Sequence, residues 1–446
     1  MHNKFSTFAT DYGMLFVLLL LGVFFSGMTI ARQNPTGAEA GRQLANRILN
    51  QPGSEKHVFI AASASPNDKD FAAQLKNTLQ VGGAQVLATV AGGPPDVRKA
   101  LDEAIAAKDK IHVIATTQTA ANWKLLAELG TRMPSLADTT IMVPTSYWWP
   151  NFLKRDNLSN VATQSAIFAI VGIGMTMVII TAGIDLSVGS LVALSAVTVA
   201  LCLRDLCGGF EAALWGMVFS SVAAVAVCGL AGLCTGLLVT GFGIAPFIVT
   251  LAMMSVARGA AKILTDGQNV YQVPKSFSLF AMGRPLGVPN AVILMIVLYA
   301  VAHIVMTRTT LGRYLYAVGG NREAARLSGV PVVWVLIFAY TLCGALAGLG
   351  GVIQASKLTS GSPLYGTMYE LYVIAAVVVG GTSLAGGEGK ILNTLIGALI
   401  IAVIGNGMNL MKFRDFTQEV VMGLLIIGAV LIDVLRRRGW KIFPTN

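Results

Sequence analysis

The sequence predicts an all-α polytopic membrane protein with about ten transmembrane helices and a small inserted α/β domain on the extracytoplasmic side. Of its 446 residues, 54% are hydrophobic and only 12% are charged, and its mean hydropathy is +0.68. The charged share is about half that of a typical globular domain. A soluble protein of this size could not cover its surface with so few charges, whereas lipid solvates an apolar exterior. The charges are also unevenly distributed, since 22 of the 54 charged residues lie within residues 32–149.

The first element is an apolar run over residues 12–31, "YGMLFVLLLLGVFFSGMTIA". Only Lys4 precedes it as a basic residue, which argues against a cleaved signal peptide. At about 20 residues the run is long enough to cross a bilayer. We therefore expect an uncleaved first transmembrane helix.

Residues 32–149 alternate between strand and helix patterns. Strands are predicted at 56–63, 84–90, 111–117 and 139–144, and helices at 67–83, 94–110 and near 119–130. This alternation is typical of a small parallel α/β layer. We expect a soluble domain inserted between the first helix and the rest of the chain.

After Trp149 the chain is apolar again, and residues 150–436 form the predicted transmembrane domain. Nine further candidate spans lie at 162–182, 187–204, 213–241, 245–264, 290–308, 331–353, 369–385, 391–411 and 416–435. The two spans that flank Asp185 could also form one broken element.

The Lys and Arg residues of the loops predict the orientation. The longest basic loop, 308–330, carries Arg308, Arg313, Arg322 and Arg326, and the chain ends in a basic tail over 437–446. Ten spans place both termini and this loop on one side, which we expect to be cytoplasmic. The segment 32–149 is then periplasmic.

The net charge of +10 and the pI near 9.4 fit such cationic loops. No RNA-binding motif, zinc spacing or aromatic–basic interleaving points to nucleic acid as a partner. The four histidines are scattered, so no metal site is expected. The cysteines are expected to be small buried hydrophobes, with a Cys202–Cys207 pair near an outer loop as the alternative. They are Cys202, Cys207, Cys228, Cys234 and Cys343.

The loop "TLGRYLYAVGGNREAARLSGVP", residues 310–331, predicts a short helix. Asn321 can cap it, "REAARL" is a strong helix former, and Gly329 with Pro331 ends it. Such a helix either docks on a partner or is a plain surface helix.

The stretch "TAGIDLSVGS", residues 181–190, places Asp185 inside an apolar run of 38 residues from Ala166 to Leu203. That run is too long for one crossing, so Gly183 and Gly189 are expected to mark a break. Asp185 and Ser187 can cap the helix that follows, whose dipole favours a negative charge. Contact with a transport pathway and proton coupling are the alternatives, because intramembrane carboxylates are often functional.

The glycine-rich stretch "GGTSLAGGEGK", residues 380–390, is similar to a phosphate loop but fails its spacing. Leu384 stands where the first glycine is required, and Ile391 replaces the hydroxyl residue after the lysine. We therefore expect no ATP site and no cofactor in this chain.

Long collinear stretches resemble the permeases of ribose-type ABC importers. They are "NFLKRDNLSNVATQSAIFAIVGIGMTMVIITAGIDLSVGS" (151–190), "GRPLGVP" (283–289), "TTLGRYLYAVGGNREAARLSGV" (309–330) and "ELYVIAAVVVGGTSLAGGEGKILNTLIGALI" (370–400). The resemblance implies a multi-pass subunit of the bacterial inner membrane. It also implies a second permease copy, a double-domain ATPase that binds ATP and Mg²⁺, and a periplasmic sugar-binding protein, with ribose as the nearest substrate by similarity.

The family's coupling segment, whose short helix inserts into the ATPase, matches "GGNREAARLSG" in this chain. The residues carried over are Gly319, Gly320, Asn321, Glu323, Ala324, Ala325 and Gly329. The family carries its pathway between two permease copies, and the resemblance assigns no sugar contacts residue by residue.

The segment 32–149 departs from the family, whose members pass from the first helix to the "NFL" segment in a few residues. Its pattern resembles half of one lobe of a sugar-binding protein. A half-lobe lacks the second wall of a closing cleft, so an interaction role is favoured. Two other functions stay open: an ion-driven carrier, for which Asp185 is the central carboxylate, and a membrane-anchored receptor with 32–149 as its sensor.

Overall fold

A computed structural model describes residues 2–52 and 56–437. It divides the chain into two compact units, an inserted unit over Ile30–Pro150 and a helical unit formed by the residues before and after it. The chain begins with helix α1 (His2–Met28), whose apolar part is Gly13–Met28.

The inserted unit contains two sheets and several short helices. In chain order its elements are β1 (Ile30–Gln33), α2 (Gly37–Leu49), β2 (His57–Ala62), α3 (Pro66–Val81), β3 (Gln85–Ala91), α4 (Pro94–Ala106), β4 (Val113–Thr116), α5 (Gln118–Ala121), α6 (Lys124–Ala127), α7 (Leu129–Arg132), β5 (Thr140–Met142) and β6 (Tyr147–Pro150). Strands β2 to β5 form a parallel sheet in the order β3-β2-β4-β5, and β1 pairs antiparallel with β6.

Apolar side chains cover both faces of the parallel sheet. Leu44 and Phe71 pack on one face, and Leu101 and Leu126 pack on the other, all fully buried. Strands buried on both faces read as continuous apolar runs, which is why β2 and β4 are visible in the sequence. The sequence misses α2, β1 and β6, and the helix expected near 119–130 is three separate helical turns, α5 to α7.

The helical unit, which begins with α1, continues from Asn151 with twelve further α-helices among the described residues. They are α8 (Arg155–Ile180), α9 (Val188–Leu206), α10 (Leu214–Gly241), α11 (Pro246–Leu264), α12 (Leu279–Met282), α13 (Asn290–Arg308), α14 (Thr310–Gly320), α15 (Arg322–Leu327), α16 (Val332–Leu358), α17 (Tyr369–Val379), α18 (Ile391–Leu410) and α19 (Asp415–Arg437).

Seven helices of the described chain are long and apolar enough to cross a membrane: α8, α9, α10, α11, α13, α16 and α18. The other three predicted crossings, at 12–31, 369–385 and 416–435, fall on α1, α17 and α19 and stay predictions. Helix α17 has only 11 residues, fewer than the roughly 20 that a full crossing needs. The predicted tail over 437–446 lies, apart from Arg437, outside the described residues.

Helix α8 forms the centre of the helical unit, because it is buried along almost all of its apolar length and packs against α13, α16, α17 and α18. Small residues let neighbouring helices approach closely. A Cβ added at Gly236 of α10 would lie 2.9 Å from the Cα of Ile337 in α16. The glycine-rich apolar stretches of the sequence therefore serve tight helix packing at this contact.

Candidate functional site

The coupling segment, residues 319–329, contains the end of α14, the short helix α15 and the turn that follows it. As the sequence predicts, Asn321 caps this helix, since its side-chain oxygen accepts a hydrogen bond of 2.9 Å from the N–H of Ala324. After the helix, Gly329 has a φ of +83°, a conformation that glycine adopts without strain. The chain can thus reverse and enter α16.

One face of α15 is free and the other is anchored. Ala325 is buried in the core of the helical unit, whereas Glu323, Ala324 and Arg326 are exposed. Glu323 and Arg326 form an ion pair of 3.0 Å with both side chains more than 60% exposed, which contributes at most about 1 kcal/mol. The exposed face therefore presents charges that a partner can engage at little cost.

Gly319, the residue before last in α14, lies in backbone contact with two other segments. A Cβ at this position would overlap the carbonyl oxygen of Ile180, the last residue of α8, and lie 2.6 Å from the backbone nitrogen of Gly387. The N–H of Gly387 in turn donates a 2.8 Å hydrogen bond to the same carbonyl of Ile180. We call this contact of Gly319, Ile180 and Gly387 the glycine junction. Gly320, by contrast, has open space around it.

The loop 380–390, which is similar to a phosphate loop in sequence, packs on the coupling segment through its glycines. Gly386 and Gly387 have φ values of +87° and +75°, which favour glycine. The hydroxyl of Tyr316 donates a 2.7 Å hydrogen bond to the carbonyl of Gly389. Burial raises the pKa of the Tyr316 hydroxyl, so it stays a neutral donor. Backbone packing accounts for the glycines of this loop.

The break between α8 and α9 spans residues 181–187, directly after the glycine junction. Gly183 lies within it, and a Cβ there would overlap the hydroxyl of Tyr340. Gly189 does not flank the break as expected, because it lies in the first turn of α9. Its role is close packing, since a Cβ there would overlap the carboxylate of Glu370 and the carbonyl of Gly366.

The expected capping of α9 by Asp185 and Ser187 is wrong in its detail. Ser187 precedes the first helical residue, but its backbone is helical (φ −81°, ψ −15°) and its side chain makes no capping bond. A capping side chain needs extended backbone to reach the free N–H groups. Instead, the N–H and the hydroxyl of Ser187 both donate to Oδ1 of Asp185, at 2.9 and 2.6 Å. Asp185 therefore holds the turn before the helix and not the helix end itself.

Asp185 is completely buried beside α16. Tyr340 and Cys343 of that helix lie next to it, and no described cation forms an ion pair with it. Its Oδ2 and the hydroxyl of Tyr340 both lack a hydrogen-bond partner among the described residues. A buried oxygen without a hydrogen-bond partner is energetically costly. Asp185 therefore stays a candidate functional residue.

A polar cavity of about 420 Å³ lies near the ends of α8 and α16 that are farther from the coupling segment. The cavity is half open, and residues of α8, α16, α17, α18 and α19 line it, among them Gln164, Lys357, Tyr369, Asn406 and Gln418. Sequence reasoning missed this cavity, because its polar lining residues are isolated side chains in separate apolar runs. Among the described residues, no cluster of His, Cys, Asp or Glu could hold a metal ion.

A family model described as "Branched-chain amino acid transport system / permease component" matches residues 157–430, more than half of the chain. The chain belongs to this permease family. The matched region runs from the first turn of α8 into α19, and so contains the coupling segment, the glycine junction and all the lining residues of the polar cavity.

Several curated relatives are permeases whose names give a sugar. The ribose import permease protein RbsC of Escherichia coli (strain K12) is 41% identical over 328 residues, which cover 71% of this chain and 98% of that protein. RbsC of Bacillus subtilis (strain 168) is 41% identical over 309 residues, 67% of this chain and 91% of that protein. The D-allose transport system permease protein AlsC of Escherichia coli (strain K12) is 37% identical over 284 residues, 64% and 85%. No solved structure gave a significant match.

Proposed function

We propose that this chain is the membrane-spanning subunit of an ATP-binding cassette importer that carries a monosaccharide inward across the bacterial inner membrane. The observation that carries the proposal is the 41% identity to a ribose import permease over 98% of that relative's length. Similar permeases for D-allose and L-arabinose widen the substrate class to pentoses and hexoses. Ribose is the first sugar to test.

The coupling segment supports an ATPase partner. Its helix α15 is anchored by Ala325 and exposes Glu323 and Arg326, so a groove on another protein can receive it. We assign ATP and Mg²⁺ to that partner, a double-domain ATPase. Coupling is then mechanical: the ATPase moves α15, and the glycine junction transmits the movement to the end of α8.

A second permease copy and lipid would cover the exposed helices. Helices α11 and α13 are mostly exposed, in contrast to α8. Helix α11 also exposes Ser255 and Lys262, and polar side chains facing lipid are costly. We place a second copy against such a surface, as a homodimer, and lipid around the remaining apolar faces.

The glycine junction supports the orientation that we propose. Ile180, at one end of α8, lies against the coupling segment, which we place on the cytoplasmic side. Thr29 and Asn151, between which the inserted unit is joined, lie near the other end of α8, where the N–H of Asn151 donates to the carbonyl of Thr29. With ten crossings and both termini cytoplasmic, the inserted unit is periplasmic.

The inserted unit is proposed to contact the periplasmic sugar-binding protein. Tyr147, Trp148 and Trp149 of β6 are 52%, 70% and 46% exposed. Aromatic side chains of this kind are typical of the membrane–water interface. The unit would thus be held at the periplasmic surface of the inner membrane, where the sugar-binding protein docks.

Uptake in the native host tests the proposal. Deletion of the gene should abolish uptake of radiolabelled D-ribose, D-allose or L-arabinose, and a plasmid copy should restore it. Uptake should collapse when ATP is depleted and survive an uncoupler. The reverse pattern would indicate an ion-driven carrier and would refute the ATPase partnership.

A further inference from the structure

The chain between α16 and α17, residues 359–368, is not helical, and much of it is buried in the helical unit. It runs beside α9, which is long and apolar enough to cross a membrane. A Cβ at Gly361 would lie 2.5 Å from the carbonyl oxygen of Ala196, and a Cβ at Gly366 would overlap the carbonyl oxygen of Gly189. Ala196 and Gly189 both belong to α9 and lie about 10 Å apart along its axis. We call residues 359–368 the non-helical segment.

Backbone groups of such a segment need partners inside the protein, because lipid offers none. Arg258, the thirteenth of the 19 residues of α11, satisfies two of them. Its Nη1 donates hydrogen bonds of 2.8 Å to the carbonyl of Pro363 and of 2.7 Å to the carbonyl of Tyr365. An arginine within a spanning helix is costly, and such residues pair with carboxylates or with backbone carbonyls. Arg258 therefore holds the non-helical segment in place.

Glu370, in the first turn of α17, is a charged side chain without a partner on one of its oxygens. Its Oε2 is buried and has no hydrogen-bond partner among the described residues, and none of the ion pairs in that part of the chain includes it. Glu370 and Arg258 are nevertheless close enough for their charges to interact. A guanidinium group has five N–H donors, and the two bonds of Arg258 to the carbonyls both use Nη1. The carboxylate therefore lies near donors that it does not engage.

Strained backbone marks both ends of the non-helical segment. Thr359 and Met368 have φ values of +48° and +66°, in the left-handed region that residues other than glycine seldom adopt. Strain of this kind clusters in segments that change conformation. Met368 directly precedes α17, so a rotation of its backbone would move Glu370 relative to α11. Beyond the other end of α17, the loop 380–390 packs on the coupling segment through the glycine junction.

We propose that Arg258 is a positioning residue of transport that exchanges partners during the cycle. In this conformation it holds the carbonyls of Pro363 and Tyr365. When α17 moves with the loop 380–390, the donors of Arg258 pass to the carboxylate of Glu370. The two arrangements satisfy different acceptors with the same guanidinium group, so they are the alternatives of one two-state element. The inference rests on the proposed importer function and adds a pair of charged residues to its mechanical coupling.

Glu370→Gln tests the exchange, because glutamine keeps the size of the side chain and removes its charge. The melting temperature of the purified permease should not decrease, since Oε2 makes no hydrogen bond to a described residue in this conformation. The maximal rate of D-ribose uptake should nevertheless decrease about tenfold or more, because a charge-assisted hydrogen bond of the second conformation is lost. The sugar concentration that gives half-maximal uptake should be unchanged. A purely structural role would instead lower the melting temperature and leave the rate unchanged.

A double-mutant cycle measures whether the two residues act as a pair. Plasmid-borne variants are compared in the native host from which the chromosomal gene is deleted, at equal membrane abundance by immunoblot. Arg258→Gln should also slow uptake about tenfold or more, and the double variant should be no slower than the slower single variant. Arg258→Lys keeps the charge and should retain most of the uptake. Glu211→Gln, at an exposed glutamate outside the non-helical segment, is the matched control and should leave uptake unchanged.

Wild-type uptake by Glu370→Gln, or two effects that multiply in the double variant, would overturn the exchange and leave the importer intact. If Arg258→Gln does not accumulate, Glu370→Asp replaces the cycle. Its shorter side chain should also slow uptake at an unchanged melting temperature, and wild-type rates in both variants of Glu370 would contradict the proposal. If the wild type transports none of D-ribose, D-allose and L-arabinose, the proposed function fails, and the exchange fails with it.

Discussion

Gly319→Ala tests whether the glycine junction is as tight as the structure shows. The added methyl group would overlap the carbonyl oxygen of Ile180 and lie 2.6 Å from the nitrogen of Gly387. Both obstacles are backbone atoms, so no side chain can rotate away. Overpacking of this kind costs about 1–3 kcal/mol, and loss of the Gly387–Ile180 hydrogen bond adds about 1 kcal/mol. Alanine in the helix returns about 0.5–1 kcal/mol, so we expect a net loss of about 1–3.5 kcal/mol.

The assay is the apparent melting temperature of the purified permease in detergent, together with retention of the ATPase through purification. In a chain of 446 residues, a loss of this size corresponds to a decrease of about 1–4 °C, and the displaced coupling segment should weaken ATPase retention. Gly320→Ala is the matched control, because open space surrounds the neighbouring glycine; its melting temperature should be unchanged or slightly higher. Equal behaviour of the two variants would refute the packing at the junction.

Three other predictions follow from single contacts. Asp185→Ala should destabilise the permease by about 2–4 kcal/mol, because it leaves the buried N–H and hydroxyl of Ser187 without their acceptor. Asp185→Asn keeps that acceptor and should largely preserve both the melting temperature and uptake. Complete loss of uptake in a well-folded Asn variant would indicate that the charge itself is needed. Glu323→Lys should weaken co-purification of the ATPase. The melting temperature should change little, since the ion pair of Glu323 with Arg326 is exposed. Undiminished co-purification would contradict docking through α15. Tyr316→Phe should lower the free energy of unfolding by about 1 kcal/mol, because one hydrogen bond is lost. Thermal melting of the purified variant measures this loss. An unchanged melting temperature would mean that the loop 380–390 is held by its glycines alone.

Long apolar runs made much of the helical unit predictable. The runs at 213–241 and 245–264 correspond closely to α10 and α11, because a bilayer sets the length of a spanning helix. Asn321 was recognisable as a cap because its reach to Ala324 is local in sequence. Asp185 was recognisable as exceptional, but its partner was not, because the backbone conformation of Ser187 decides which group it bonds. A sequence thus predicts a local hydrogen bond where it also predicts the backbone conformation of the residues involved.

Contacts between distant segments could not be derived in this way. The glycine junction joins residues near 180, 319 and 387 through backbone atoms, which carry no sequence signal beyond the glycines themselves. Gln164 and Lys357 are 193 residues apart, and each looks like an isolated polar residue in an apolar helix. Helix α2 was missed because its strongly polar exposed face hides a stripe of small and apolar residues, Ala40, Leu44, Ala45 and Ile48.

The two candidate sites share helices, and this gives the permease a physical route between them. Helix α8 runs without interruption from Gln164 at the polar cavity to Ile180 at the glycine junction, and α16 runs from the end of the coupling segment to Lys357. Because the junction consists of backbone atoms in direct contact, a displacement of Gly319, at the end of α14, cannot be absorbed by side-chain rotation there. Packed helices move as rigid elements rather than deforming continuously. We therefore expect a movement of the coupling segment to be passed along α8 to Gln164 or along α16 to Lys357, and so to change the hydrogen bond between these two side chains.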